Sequence, residues 1–380
     1  MRTISTLPLR WFSATVPSIT KWRPCAVAVL LGFGAAEAGE ITVPAGFRVS
    51  VFAENLGGVR GLAVDPEGVV FASIPSRGRV VALPDRGDSG RAADTVTVVQ
   101  DLDLPHGLAF RGGYLYVAET GRVVRYRYRA PTLTAAERTV VVRALPRGAH
   151  HWTRSIAFGP DDKLYVAVGS SCDVCREADP RRAAIVRYNA DGSGEQVFAT
   201  GLRNPVGLAF HPTTGTLWST VNERDWPGGG APPDYVTEVR HGAAYGWPRC
   251  FAQWRVFVAD PTFADASRCL AMTLPTLELP PHAAPLGLVF YAGRQFPSEY
   301  VDNLFVALHG SRAGLPAAGY AIVRVRFDGD AVSIGEFSRG WRQGDRVIGR
   351  PVDLVLGRDG SLYVSDDHAD RIYRVRYTAR

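Results

Sequence analysis

Lysine is almost missing from this sequence. Of 43 basic residues only Lys21 and Lys163 are lysines, so an anion held by this chain must be met by arginine, histidine or backbone N–H groups. No cluster of basic residues interleaved with aromatics is present, which argues against nucleic acid as a partner. No apolar run reaches the roughly 20 residues of a membrane-spanning helix, and none sustains helical periodicity, so stable membrane insertion is not expected and helices should be few and short. Methionine occurs twice and cysteine five times in 380 residues. What remains is a glycine-rich, arginine-rich chain with 46% hydrophobic residues, enough for a sizeable core.

The first 38 residues stand apart. Arg2, Arg10, Lys21 and Arg23 precede an apolar run from Ala26 to Ala36, which ends in Ala36, Glu37 and Ala38. That order is the pattern of a secretory signal peptide cleaved before Gly39, leaving residues 39–380 as a single domain in the periplasm or outside the cell. Four basic residues and one acid leave with it, half of the formal +6, so the remainder is only mildly basic. Cys25 leaves as well. Cys172, Cys175, Cys250 and Cys269 then form an even set, which in an oxidising compartment reads as disulfides with three possible connectivities. Pairing by proximity, Cys172 with Cys175 and Cys250 with Cys269, is preferred. Zinc and c-type haem are disfavoured, because no second Cys/His pair matches the Cys-x-x-Cys and Arg176 stands where haem attachment needs histidine.

One pattern recurs along the rest of the chain: a short apolar strand, a turn, and a second strand. Copies begin at Gly61 (GLAVDPEGVVFAS), Gly107 (GLAFRGGYLYVAE), Ser155 (SIAFGPDDKLYVAV), Gly207 (GLAFHPTTGTLWST), Gly287 (GLVFYAG, then LFVAL from Leu304) and Val352 (VDLVLGRDGSLYVSD). Several continue into a third strand of alternating apolar and basic residues, as at Val123–Tyr128, Ile185–Tyr188, Tyr320–Phe327 and Ile372–Tyr377. Asp, Gly and Pro in the turns suit hairpin closure. The spacing predicts an all-β fold, a six-bladed β-propeller, with first strands near Leu62, Leu108, Ile156, Leu208, Leu288 and Leu354. The segment Ile41–Ala53 is expected to close the last blade. Polar residues at the starts of the first strands should converge on the axial mouth.

Five blocks in order carry a resemblance: HHWTRSIAFGPDDKLYVAVGSSCDVC from His150, TGLRNPVGLAFHP from Thr200, VNERD at 221–225, PPDYVTEVR at 232–240 and AAYGWP at 243–248. Together they resemble the soluble sugar dehydrogenases that depend on pyrroloquinoline quinone (PQQ), nearest the sorbosone-type branch, over essentially the whole chain after the leader. The resemblance implies oxidation of a sugar aldehyde or hemiacetal by hydride transfer to PQQ, assisted by Ca2+, with a small-molecule sugar as substrate. Electrons would leave to an external acceptor, a quinone or cytochrome, since no haem motif is present. His151, seven residues before Phe158, matches the family's catalytic histidine, with His150 as the competing choice. An imidazole titrating near neutrality suits removal of a hydroxyl proton while hydride leaves the same carbon.

By the same resemblance Arg203 and Asn204 approach cofactor and substrate, with Arg203 stabilising developing negative charge. An ion pair of Arg203 with Asp234 or Glu223 is the structural alternative. Glu223 and Arg224 would offer main-chain carbonyls to Ca2+, which accepts such oxygens. Asp234 aligns with an acid near the substrate mouth. His282, His309 and Arg350 match positions around the cofactor, whose three carboxylates need donors, and His106 falls on the substrate side. Three departures bear on cofactor affinity. Ser170 stands where glucose-oxidising relatives have an acid, Ala321 follows Gly319 and Tyr320 where a GYK motif is usual, and HGSRAG replaces HGSWNR. A lactonase-type propeller would bind Ca2+ through side-chain carboxylates, and a non-catalytic ligand-binding propeller is the third class.

Overall fold

The computed structural model describes residues 41–379, apart from 88, 149, 226–229, 264–268 and 330. The expected signal peptide at 1–38 lies outside them. Six four-stranded antiparallel sheets are present, one for each sequence copy. Their first strands are Leu62–Val64, Leu108–Arg111, Ile156–Phe158, Pro205–Phe210, Pro285–Phe290 and Pro351–Leu356, as the repeat predicted. Blade six borrows its fourth strand from the front of the chain: Phe47–Glu54 pairs antiparallel with Arg371–Tyr377. The expected closing segment therefore begins six residues later than predicted, after the turn at Gly46 (φ +86°). Blade four is interrupted before its last strand, Leu277–Glu278, by an insertion carrying the hairpin Cys250–Gln253 and Val256–Ala259. Among the described residues no helix is long and apolar enough to cross a membrane.

Burial explains which sequence pattern each strand carries. A second strand has a neighbouring blade on both faces, so Val70–Ile74, Leu164–Val168, Leu217–Val221 and Leu304–Leu308 are buried at every position; LYVAV and LFVAL are wholly apolar, while VFASI and LWSTV admit only small hydroxyl residues among the apolar ones. The third strand Arg122–Arg129 lies further out, and from Tyr126 onward its residues alternate between buried tyrosine and exposed arginine. Six apolar clusters fill the six seams between adjacent blades; one joins Phe71 and Val80 of blade one to Leu108 and Leu115 of blade two, and another joins Tyr363 and Ile372 of blade six to Leu62 and Val70 of blade one.

The glycine at the start of four of the six repeats, Gly61, Gly107, Gly207 and Gly287, has a steric reason. A Cβ at Gly61 would lie 2.1 Å from the His106 carbonyl oxygen, and one at Gly207 would lie 2.3 Å from that of Leu286, in each case on the next blade. Blade six carries Asp353 at this position, and its carboxylate accepts the Leu62 N–H at 2.8 Å, tying the last blade to the first. Ser73, Thr220 and Ser365 add hydroxyl bridges to the neighbouring blade, donating to the carbonyls of His106, Leu286 and Arg60. One residue earlier the ring divides. Blades one to three present Arg60, His106 and Arg154, whereas Val206, Leu286 and Val352 of blades four to six pack on one another.

Both preferred disulfides are formed, Cys172–Cys175 and Cys250–Cys269.

Candidate active site

Loops that enter the first strands and leave the second strands meet around a cavity of about 300 Å3. His151, Arg203, Asn204, Glu223, Asp234, His282, His309 and Arg350 all line it. Arg224 does not: its side chain turns to Asp260, at 2.5 Å, and to Asp173, at 3.5 Å. His106 is also elsewhere. It lines a second cavity of about 420 Å3 along the axis, walled mainly by Leu62, Leu108, Leu208, Leu288 and Leu354, which offers few groups to a polar reactant. Burial and the Arg60 charge push the His106 imidazole down to about 3, and neither ring nitrogen has a partner. His150 is exposed, so His151 is the histidine that reaches the first cavity.

His151 is held in one tautomer by its neighbours. Its Nδ1 lies 2.9 Å from the Ser170 carbonyl and 3.0 Å from Ser170 Oγ, whose own proton goes to the Cys172 carbonyl at 2.7 Å. A carbonyl can only accept, so Nδ1 carries the proton and Nε2 is left with a free lone pair. The backbone at His151 is left-handed (φ +48°), a conformation that persists only where surroundings impose it. Fully buried Arg154 does so by donating to the carbonyls of His151, Thr153 and Pro146. Gly169 makes room, since a Cβ there would strike Asn204 Oδ1 and His151 Cβ. Burial, then the Arg203 charge, lower the imidazole to about 3, far from the near-neutral titration expected of it. It is unprotonated at neutral pH.

Arg203 is 3% exposed and already committed to its own chain. Nε and Nη2 reach the carbonyl and carboxylate of Asp173 at 2.9 and 2.8 Å, while Nη1 donates to the carbonyls of Asn222 and Glu223 at 3.1 and 2.7 Å. Its carboxylate partner is thus Asp173, and neither Asp234 nor Glu223 as the alternative supposed. With five donors on a guanidinium, one N–H of Nη2 remains for a ligand. Asp234 accepts the N–H groups of Glu223 and Ala284, both at 2.8 Å, and so fixes the exit of one blade to the entry of the next.

On the far wall a chain of polar contacts joins His309 and Arg350 to Arg60 and Asp367, two residues the sequence did not single out. Arg60 pairs with Asp367, and Asp367 accepts from His309 Nε2 at 2.9 Å. Arg350 faces His309 Nδ1 at 3.4 Å, donates to the carbonyls of Gly310 and Ser311, and lies over the Tyr320 ring at 5.1 Å. Against the upward push of burial, His309 and then Arg60 hold the Asp367 carboxyl down at about 2, and burial lowers His309. Arg312, part of the departure HGSRAG, lines the cavity beside Asp225, with which it pairs. Ala321 is buried at the start of the strand Ala321–Asp328.

Burial raises the carboxyl of Glu223 to about 8 and that of Asp234 to about 7. Both therefore bind protons in the folded state at pH values where the unfolded chain has released them. Stability falls as pH rises until the folded groups have also ionised. His106 and His151, lowered, act oppositely, but only below about pH 6.5, where the unfolded imidazoles charge. The thermal midpoint of the protein without added metal or cofactor is expected to drop from pH 6.5 to 8 and then level off, with a shallower drop in Glu223→Gln. A midpoint that is constant or rising over that window in the unsubstituted protein would contradict these environments.

The residues present fit an anionic, polar group. Arg60 Nε and His282 Nε2 are buried without partners on the cavity wall, and among the described residues Arg60, Arg203, Arg312 and Arg350 line it, while the equally unpartnered Asn204 Oδ1 could accept from an N–H or O–H of such a group. A calcium ion finds a thinner donor set. Glu223, Asp225 and Asp234 do not converge to ligating distance, and the one group of three candidate metal ligands among the described residues is Cys172, Cys175 and Glu177, whose sulfurs are bonded to each other.

A family model described as TrAA12-like matches residues 41–226 and 231–378. An uncharacterised protein of Borreliella burgdorferi is 28% identical over 355 residues, 89% of this chain and 91% of that one. The PQQ-dependent pyranose dehydrogenase of Coprinopsis cinerea is 26% identical over 408 residues, covering 89% of this chain, and the chain spans only 54% of that enzyme. A calcium structure of a Trichoderma reesei carbohydrate-active enzyme of family AA12 superposes with a TM-score of 0.78 at 20% identity, covering 90% of this chain and 98% of that one.

Proposed function

We propose that this chain, which belongs to the TrAA12-like family, is a quinoprotein that oxidises a sugar at an aldehyde or hemiacetal carbon, with PQQ as hydride acceptor and Ca2+ beside it. One observation carries the reading: the bare Nε2 of His151 belongs to the same cavity wall as Arg60, Arg203 and Arg350. Bound PQQ would supply the two-electron acceptor, and Ca2+ would draw negative charge onto its quinone oxygens. His151 Nε2 takes the proton of the substrate hydroxyl, while Nδ1–H stays donated to Ser170. Arg350, Arg60, His282 and Asn204 would hold the cofactor's polar rim, and the remaining N–H of Arg203 would meet oxygen charge as it develops. The carbonyls of Glu223 and Arg224 would be the protein's offer to Ca2+, although that of Glu223 also accepts from Arg203 Nη1 at 2.7 Å and Arg224 does not line the cavity.

Two disulfides accord with work in the periplasm or outside the cell, where an external quinone or cytochrome would take the electrons. Among the described residues no three carboxylates converge to ligating distance, which disfavours a lactonase-type hydrolase. Purified protein mixed with PQQ and Ca2+ should reduce a dye when given an aldose, an oligosaccharide or sorbosone from a panel. No sugar-dependent reduction would overturn the reading in favour of a binding scaffold. Arg350→Ala is expected to raise the Kd for PQQ about 10- to 100-fold, the loss of one charge-assisted contact, as read by dialysis. An unchanged Kd would remove Arg350 from the cofactor's partners.

A further inference from the structure

We propose that Asp173, carried in the four-residue ring closed by Cys172–Cys175, is a positioning residue for both Arg203 and His151, and that opening this ring disables the site without unfolding the propeller. The proposal rests on the dehydrogenase reading for its effect on turnover only.

Asp173 joins three segments that are distant in sequence. Its carbonyl accepts from Arg203 Nε at 2.9 Å and from Trp247 Nε1 at 3.2 Å. Its carboxylate accepts from Arg203 Nη2 at 2.8 Å and the Asp225 N–H at 3.1 Å, and lies 3.5 Å from Arg224 Nε. One residue thus joins the entry of blade four and the loop that follows its second strand through its carboxylate, and the loop leading into the blade-four insertion through its carbonyl. Asp173 does not line the cavity, so it acts through what it holds. The Arg203 side chain is 4% exposed and is paired with Asp173, so loss of that carboxylate leaves a buried charge uncompensated.

The same short segment holds the base. Ser170 N–H donates to the Arg203 carbonyl at 2.8 Å, the Ser170 hydroxyl donates to the Cys172 carbonyl at 2.7 Å, and the Ser170 carbonyl fixes His151 Nδ1–H. Residues 169–175 belong to no strand or helix. Their shape depends on the disulfide, together with Glu177, which accepts from the N–H and hydroxyl of Ser171 at 2.5 and 2.7 Å. Access differs between the two disulfides. Cys172 and Cys175 are half-buried, whereas Cys250 and Cys269 are 2% and 3% exposed, so a mild reductant meets the ring first.

The test compares the protein, the Cys172→Ser/Cys175→Ser double variant and Asp173→Asn by 15N NMR of the His151 imidazole and by thermal melting, all without cofactor. The unaltered protein should show one tautomer, Nδ1–H, and both variants should show exchange with Nε2–H at a melting point above assay temperature. If the unaltered protein is active, each variant should lose about 10- to 100-fold in kcat/KM, as expected for reacting groups displaced by an ångström. A wild-type tautomer pattern in both folded variants would overturn the proposal whether or not the protein oxidises sugars. Should the double variant fail to fold, Asp173→Asn alone decides. Absence of activity in the unaltered protein would bear on the dehydrogenase reading and leave the tautomer result standing.

Discussion

His151→Ala is expected to lower turnover by a factor of about 10² to 10⁴, the usual contribution of a positioned base, with PQQ retention little changed. The reason lies in the two nitrogens of one ring. Nδ1 is fixed as a donor by the Ser170 carbonyl, which leaves Nε2 as an acceptor already aligned before substrate arrives. Burial and Arg203 hold the group down to about 3, so it is a weak base that is nevertheless empty of protons at every ordinary pH. Proton removal then has to accompany hydride departure rather than precede it. Two readings of a dye-reduction assay check this: the fold-loss in kcat for the variant, and a kcat/KM profile in the parent with no inflection near pH 6.5. Full activity in His151→Ala would remove it from the catalytic role.

The second large effect falls on folding. Gly207→Ala is expected to cost more than about 4 kcal/mol, at the extreme of single substitutions. The added methyl carbon would sit 2.3 Å from both the Leu286 carbonyl and Leu288 Cδ2, with Thr220 Oγ1 at 3.1 Å. The carbonyl is backbone of the neighbouring blade and accepts the Thr220 hydroxyl, so it cannot retreat without opening the seam. Gly335→Ala is the control: it lies in the exposed strand Ala331–Ser338 with nothing within 4 Å of an added Cβ, and should change stability by less than about 1 kcal/mol. Urea unfolding of the two variants separates steric crowding at the ring from any general intolerance of alanine. Equal stabilities would refute the close approach.

The blades were legible because their second strands are buried on both faces, which writes a short, mainly apolar run such as LYVAV or LFVAL into the chain at each copy. The glycine that opens four of the six repeats was legible too, one crowded position recurring around a ring. The cavity's histidines could be placed by motif. What they touch could not. Asp367 serves His309 from 58 positions away and Arg60 from 307, and no local spacing announces such a pair. Ser170, which looked like the loss of an acid, supports His151 through its main-chain oxygen, and a backbone carbonyl has no signature in a sequence. Arg203 lines the cavity, but its engagement by Asp173 depends on a turn inside the Cys-x-x-Cys whose path only the fold reveals.

The strand Phe47–Glu54 has a partner that the chain supplies only at Arg371–Tyr377, and the N–H groups of Gly57 and Gly58 likewise wait for Asp370, 313 positions from Gly57. During synthesis five blades can assemble in succession while this strand remains an open edge, ready to pair with any other extended segment. The thermodynamic penalty of so long a connection is mild, since each doubling of a loop adds only about 0.6 kcal/mol. The burden is one of timing. Translation or transport that stalls near the end leaves a nearly finished ring with a sticky gap at the Leu62–Ile372 seam, the state in which this protein is most exposed to aggregation and to proteases.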